Sequence, residues 1–315
     1  MPADIYGEFA DCVRQAVTKR PAMKKNQPAL DQPANEARPE ARPRASRAPK
    51  AIKARQASAG KDRQFITALA RGLQVLRCFR ASERYLGNQE FALRTGLPKP
   101  TISRLTHTLT GLGYLDYSPT FGKYSLGASV LSLSYPYLAG LDVRDVARPL
   151  MHELAEYAQA TVSLGARDGL HMIYLEISQG SQMFRMHMAV GSRVPHGTTA
   201  MGRAYLASLP EAQRAEFIEQ YREITPRKEW PMVLAGIQQA VEDYAKYGFC
   251  LSLGEWNPEV WAVGTPMASS DGSRILAFNV SGPVFNMTRA RLIADIGPRL
   301  CALRDQVLAA TGGNF

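Results

Sequence analysis

From Phe65 onward the apolar positions fall into runs whose spacing names the elements. In FITALARGLQVLRCFRAS, Leu69, Leu73, Leu76 and Phe79 keep the i, i+3/i+4 rhythm of a helix. Gly87–Asn88 offers a start for a short helix, NQEFALRT, which Gly96 ends. Pro98 and Pro100 flank the next start, and Pro100 suits a first turn, where a missing N–H costs little. The third helix, KPTISRLTHTLTGLG, has an apolar stripe of Ile102, Leu105, Leu109 and Leu112, closed by Gly111 and Gly113. Its other face carries Lys99, Ser103, Arg104 and His107. YLDYSPTFGKYSLG reads as a hairpin, with Tyr114, Leu115 and Tyr117 on one arm, Phe121 and Tyr124 on the other, and Ser118–Pro119 at the turn. Helix, short helix, tight glycine turn, helix and hairpin make a winged helix-turn-helix over 64–125.

Residues 126–143 read as a helical linker broken near Pro136, and the segment 144–315 follows as a second domain. A long amphipathic helix begins at Val143, with Val146, Leu150, Leu154 and Tyr157 on one face. Such a helix either forms a dimer seam or packs on its own domain. Beyond it strands and helices mix. TVSLGAR-DG-LHMIYLE signals a hairpin turning at Asp168–Gly169, and MFRMHMAV is a further strand. TTAMGRAYLASL is a helix after a loop. Ser208 and Glu211 stand at capping-box spacing for the helix after that. LAGIQQAVEDYAKYG is a third helix ended by Gly248, FCLSL, VWAVGTPM and RILAFNVSGP are strands, and 287–311 close as a helix with Pro298 as a kink. Hairpins with segregated helices give an α+β fold, an antiparallel sheet with helices at its edges.

Charge divides the same 315 residues unevenly. The net +10 splits into +7 over 1–63, +5 over 64–125 and −2 over 126–315. A basic front and a nearly neutral rear suggest a polyanion partner for the first and another task for the second. Residues 1–63 read as a disordered basic extension, since 21–63 are rich in Pro, Ala, Lys and Arg with few aliphatics. Its run from Arg42 to Arg55 either adds phosphate contacts or is an inert tether. No run of about 18 apolar residues and no secretory pattern is present, and Cys12, Cys78, Cys250 and Cys301 lie far apart without a CxxC or Cys/His spacing. A cytoplasmic protein without metal site or cofactor is expected.

A polar third-helix face beside a basic hairpin suits the major groove of double-stranded DNA. Lys99 and Arg104 can reach guanine edges, and Thr101, Ser103 and His107 less specific groups. Pro100 sets the helix start, and Lys123 of the wing is placed to touch backbone. The alternative is a three-helix structural core with a solvated face. No GxSxG, Walker loop, GxGxxG or HExxH occurs, and no His is called for beside Cys250, so no enzyme is expected. The competing function is a small-molecule-binding module or metabolic enzyme with a vestigial winged unit.

Over residues 65–315 the sequence resembles the IclR-type bacterial transcription regulators. The resemblance rests on LRTGLPKPTISRLTHTLTGLGYL (93–115) and GSRVPHGTTAMGRAYLASLP (191–210), then more weakly on YGFCLSLGEWNPEVWAVGTPM (247–267) and NVSGP (279–283). It implies a winged DNA-binding domain, a linker helix and a GAF-like C-terminal effector domain, in dimers or tetramers that bind a small, often carboxylate-bearing metabolite. By motif register the family's ligand contacts fall on Ser252, Trp261 or Ala262, Asn279 and Ser281, and Glu255 matches an acidic position. Ser252 stands where an acidic residue is common, and Trp261 and Asn279 are also atypical. From the residues themselves, the helix start after the loop offers free N–H groups to a carboxylate at Thr198, Thr199, Ala200 and Met201. Tyr174, Met183, Phe184, Met186, Met188 and Trp261 either line a pocket for an aromatic acid or fill the core.

Overall fold

A computed structural model describes residues 64–80, 83–181 and 188–315. The basic extension and most of the strand expected in MFRMHMAV lie outside the described residues, as do Met183, Phe184 and Met186. The described chain forms two compact units, meeting in sequence between Ser132 and Leu133.

The first unit holds α1 (Thr67–Leu76), α2 (Asn88–Thr95), α3 (Lys99–Gly111) and the hairpin β1 (Leu115–Ser118) with β2 (Lys123–Leu126). Glu90 sets the start of α2 by accepting from the Gly87 N–H at 3.0 Å. Gly96 ends it at φ 70°, a conformation glycine adopts without strain. Val75, Leu86, Phe91, Ile102, Leu109 and Leu115 form the core. The buried faces of α1 and α3 differ from the leucine stripes. Leu69 and Leu73 point outward, and Gln74 and Val75 inward. Gln74 is accommodated because its Nε2 donates to the Thr95 carbonyl at the end of α2. In α3, Thr106 takes an inner position with its hydroxyl donating to the Ile102 carbonyl, while Leu112, at the C-cap, is exposed.

Helix α4 (Leu131–Ala139) runs through Pro136 and stops three residues later, so the expected break is displaced to Gly140. Then come α5 (Asp142–Ala158), β3 (Thr161–Asp168), β4 (His171–Gln179), β5 (Arg193–Pro195), α6 (Ala200–Ser208), α7 (Glu211–Ile224), α8 (Trp230–Tyr247), β6 (Cys250–Leu253), β7 (Val260–Ala268), β8 (Ile275–Pro283) and α9 (Gly297–Thr311). The strands form one antiparallel six-stranded sheet in the order β5-β4-β3-β8-β7-β6. Helices α5 and α9 cover one face around Met151, Val162, Val263, Phe278 and Leu300. Helix α6, backed by α8, covers the other around Met201, Leu206 and Ile237.

Three local expectations change here. The inner stripe of α5 is Val143, Ala147, Met151, Leu154 and Ala158, and Tyr157 faces outward, donating to Asp295 Oδ1. The capping box at Ser208 does not form. Pro210 occupies the N-cap of α7, and Ser208 donates to the Tyr205 carbonyl instead. Pro298 sits harmlessly in the first turn of α9, and the irregularity is a π-helical turn, Leu292–Ile296, just before it.

Candidate functional site

The start of α6 lies against the sheet with almost no clearance. A Cβ on Gly264 of β7 would stand 2.6 Å from the Ala200 carbonyl oxygen, and one on Gly202 2.3 Å from the His196 Cα. Thr199 is the N-cap. Its Oγ1 accepts from the Gly202 N–H at 3.2 Å and donates to the Pro195 carbonyl at 2.6 Å. The first-turn N–H groups of Ala200 and Met201 have no acceptor within the helix and stand at the positive end of its dipole.

Small and polar residues line the sheet beneath. Antiparallel register puts Ser252, Ala262, Ser281 and Thr161 in one row across four strands, and Gly264, Asn279 and Ser163 in the next. Between this floor and α6 opens a concavity of about 320 Å³, mouth included, lined by Tyr174, Thr199, Ala200, Ser252, Trp256, Val260, Ala262, Asn279 and Ser281. None of these side chains carries a charge. Asn279 Oδ1 is buried without a hydrogen-bond partner.

Thr199, Ala200, Ser252, Asn279 and Ser281 are thus brought together as the sequence suggested. Two expected contacts are not. Thr198 contributes its backbone carbonyl, to the Ser252 hydroxyl. Met201 offers only its first-turn N–H, since its side chain is fully buried with the sulfur packed over Gly165. Trp261 turns to the opposite face and packs with the α5/α9 core, because side chains alternate along a strand; its neighbour Ala262 takes the cavity position. Of the aromatic and methionine set, Tyr174 lines the concavity, and Met188 packs with the α6/α8 core.

Sequence reasoning missed the residue that braces this site. The Arg203 side chain is only 4% exposed. Its Nε donates to the Gly197 carbonyl at 3.0 Å, and its Nη1 to the Leu251 carbonyl and Glu255 Oε1, each at 2.8 Å. Glu255 Oε2 accepts from the Leu253 N–H at 2.5 Å and lies 3.3 Å from the Ser252 hydroxyl. One guanidinium thereby ties the loop before α6 to β6. Burial pushes the Glu255 carboxyl up, but the charge and hydrogen bond of Arg203 outweigh it, and the net shift is downward. The signal in the sequence was a lone arginine among the small and apolar residues of AMGRAYLA. His196, fully buried, meets the rings of Tyr205 and Phe217 edge-on, and burial drops its pKa to about 3.

In the first unit, Lys99, Pro100, Ser103, Arg104 and His107 are exposed on α3, and Thr101 is half-buried. Ser103 Oγ accepts from Asn88 Nδ2 at 3.3 Å. Lys123 is not a free wing cation, because its ammonium pairs with Glu90 at 2.8 Å. At the wing, Phe121 packs on Tyr85, over whose ring lies the exposed Arg84.

Comparison with known proteins assigns both units. The family of bacterial transcriptional regulator IclR C-terminal domains matches residues 135–307, and the IclR helix-turn-helix domain matches residues 68–119. The chain belongs to the IclR family. It is a DNA-binding transcriptional regulator in which a helix-turn-helix module precedes an effector-binding domain. The HTH-type transcriptional regulator TsaQ1/TsaQ2 of Comamonas testosteroni is 33% identical, over 75% of this chain and 84% of that protein. An IclR family regulator from Brucella abortus superposes with a TM-score of 0.72 at 46% identity, over 80% of this chain and 95% of that one. An IclR homologue from Microbacterium hydrocarbonoxydans, solved with 4-hydroxybenzoate, shares the fold at 18% identity and a TM-score of 0.61, over 79% of this chain and all of that one. Among the described residues of this IclR-family chain, no helix is long and apolar enough to cross a membrane.

Proposed function

We propose that this regulator reads its operator with α3 and is controlled by a small organic acid, aromatic acids included, held at the start of α6. The observation that carries the effector reading is the uncharged concavity beside two first-turn N–H groups, with a buried amide in its floor. An anion there is held by neutral donors and a helix dipole rather than by an ion pair. Arg104, Lys99, Thr101, Ser103 and His107 meet base edges and phosphates, with Pro100 at the helix start. Lys123 reaches backbone only by leaving Glu90. The outward Leu69 and Leu73 support a homodimer or homotetramer, and a reader of operator DNA acts in the cytoplasm. Catalytic turnover is not part of this reading. Burial raises the thiols of Cys78 and Cys250, so neither is a ready thiolate at neutral pH.

The test pairs two substitutions. A specific duplex is selected from a random library, and binding is followed by fluorescence anisotropy with and without candidate acids, 4-hydroxybenzoate among them. Arg104→Ala should weaken specific binding about tenfold or more, corresponding to roughly 1–3 kcal/mol for a base-reading contact. Ala200→Leu should abolish the response to acid while leaving DNA affinity within about threefold. Unchanged selectivity in the first, or a normal response in the second, would remove the corresponding half of the reading.

A further inference from the structure

The polarity of the cavity floor is more specific than a carboxylate site requires. A serine hydroxyl has one proton and two lone pairs. The groups around Ser252 Oγ are the Thr198 carbonyl at 2.8 Å and a Glu255 oxygen at 3.3 Å, and both only accept. The proton of Ser252 is therefore committed to the protein, and lone pairs remain for the cavity. Turning that proton toward a ligand would leave the hydroxyl oxygen facing a carbonyl and a carboxylate. The Arg203 Nη1–H on Oε1 and the Leu253 N–H on Oε2 fix Glu255 in place, so the arrangement cannot relax by swinging the carboxylate away. Thr199 is committed in the same way, through Pro195 and Gly202. Asn279 Oδ1 also lies in the floor with no partner, on a residue only 4% exposed, but its amide carries donors as well and can meet a ligand acceptor or donor alike.

We infer that Ser252 makes the site selective for an acid that also carries a hydrogen-bond donor, a hydroxy or amino acid rather than a plain carboxylic acid. This rests on the effector reading above and narrows its ligand class. A buried acceptor that meets a ligand without a donor stays unsatisfied, which is the condition under which a polar site rejects an analogue strongly.

The full chain is titrated by calorimetry with matched probes. One set is benzoate, 4-hydroxybenzoate, 4-aminobenzoate and 4-methoxybenzoate; the other is propionate, lactate and 2-methoxypropionate, with lactamide as a neutral donor. In whichever set binds, the hydroxy or amino member should bind at least tenfold tighter than both the parent and the methoxy acid. Equal affinity across a set overturns the inference. Lactamide binding where no acid binds overturns the carboxylate reading and leaves the donor requirement standing, whereas no binding by any probe overturns both. Ser252→Ala should reduce the preference to under threefold with the melting temperature little changed. If that variant unfolds, Ser252→Cys, of similar size but a weak acceptor, supplies the second test, and a preference undiminished in a folded variant counts against the inference.

Discussion

Arg203 shows how one side chain can decide the behaviour of a site it does not line. Its charge is buried, and its compensation is Glu255 plus two backbone carbonyls. Glu255→Gln keeps the shape and removes the charge, leaving the guanidinium without its counter-ion. A loss of about 3 kcal/mol is expected, at the low end for a broken buried pair because Glu255 keeps part of its surface in water. A urea melt should show a lower midpoint at unchanged slope. Because the folded carboxyl titrates below its ordinary value of 4.5, the pair contributes fully above that pH and is lost as the medium is acidified further. His196 acts in a higher window. Its folded pKa of about 3 lies below the unfolded value of 6.5, so unfolded chains take up the proton first and stability falls as pH drops below 6.5. Between pH 7.5 and pH 5, the natural protein should lose on the order of 1–2 kcal/mol more than a His196→Phe variant. Equal losses would show that the imidazole is not held neutral. Neither residue stood out in the sequence as part of a site, because burial and partner distance are properties of the packed chain.

Among the elements, close approach decides more than propensity does. The start of α6 rests on Gly264, where any side chain would collide with the Ala200 carbonyl. Gly264→Ala should cost about 1–3 kcal/mol by overpacking and should also weaken effector binding, since it lifts the helix end that offers the N–H groups. Gly72 within α1 has nothing within 4 Å of its missing Cβ, so Gly72→Ala should instead stabilise by up to about 1 kcal/mol. Thermal melts of the two variants should move in opposite directions. Periodicity made most elements legible: α2 was read to the residue, and α3, the wing and the main sheet strands were found. It misassigned the inner face of α1, and on α5 it included Tyr157, which faces outward, beside Val146, Leu150 and Leu154, which do pack on the core. Several apolar stripes compete there, and neighbouring elements choose among them. The family motif register left Trp261 or Ala262 open on β7, and Ala262 is the one at the cavity, since in a strand covered on both sides hydrophobicity does not mark which side faces it. The Ser208 capping box failed because Pro210 had already claimed the helix start.

For the whole molecule, charge asymmetry was the feature most plainly written in the sequence. Residues 64–125 carry +5 and residues 1–63 a further +7. Removing residues 1–63 should make the fall of log K with log salt shallower without changing the preferred duplex, because phosphate neutralisation releases counter-ions while base contacts select sequence. An unchanged slope in an anisotropy titration would show that the extension does not meet DNA.

The uncharged lining beneath α6 has a practical corollary. Mobile ions screen a cationic groove far more than they disturb short contacts from neutral donors inside a protein. Raising the salt from about 50 to 200 mM, a range in which a protein making several phosphate contacts loses orders of magnitude of affinity, should therefore strip the regulator from its operator while metabolite sensing persists. The two activities could then be assayed separately in one tube, with no variant needed to uncouple them.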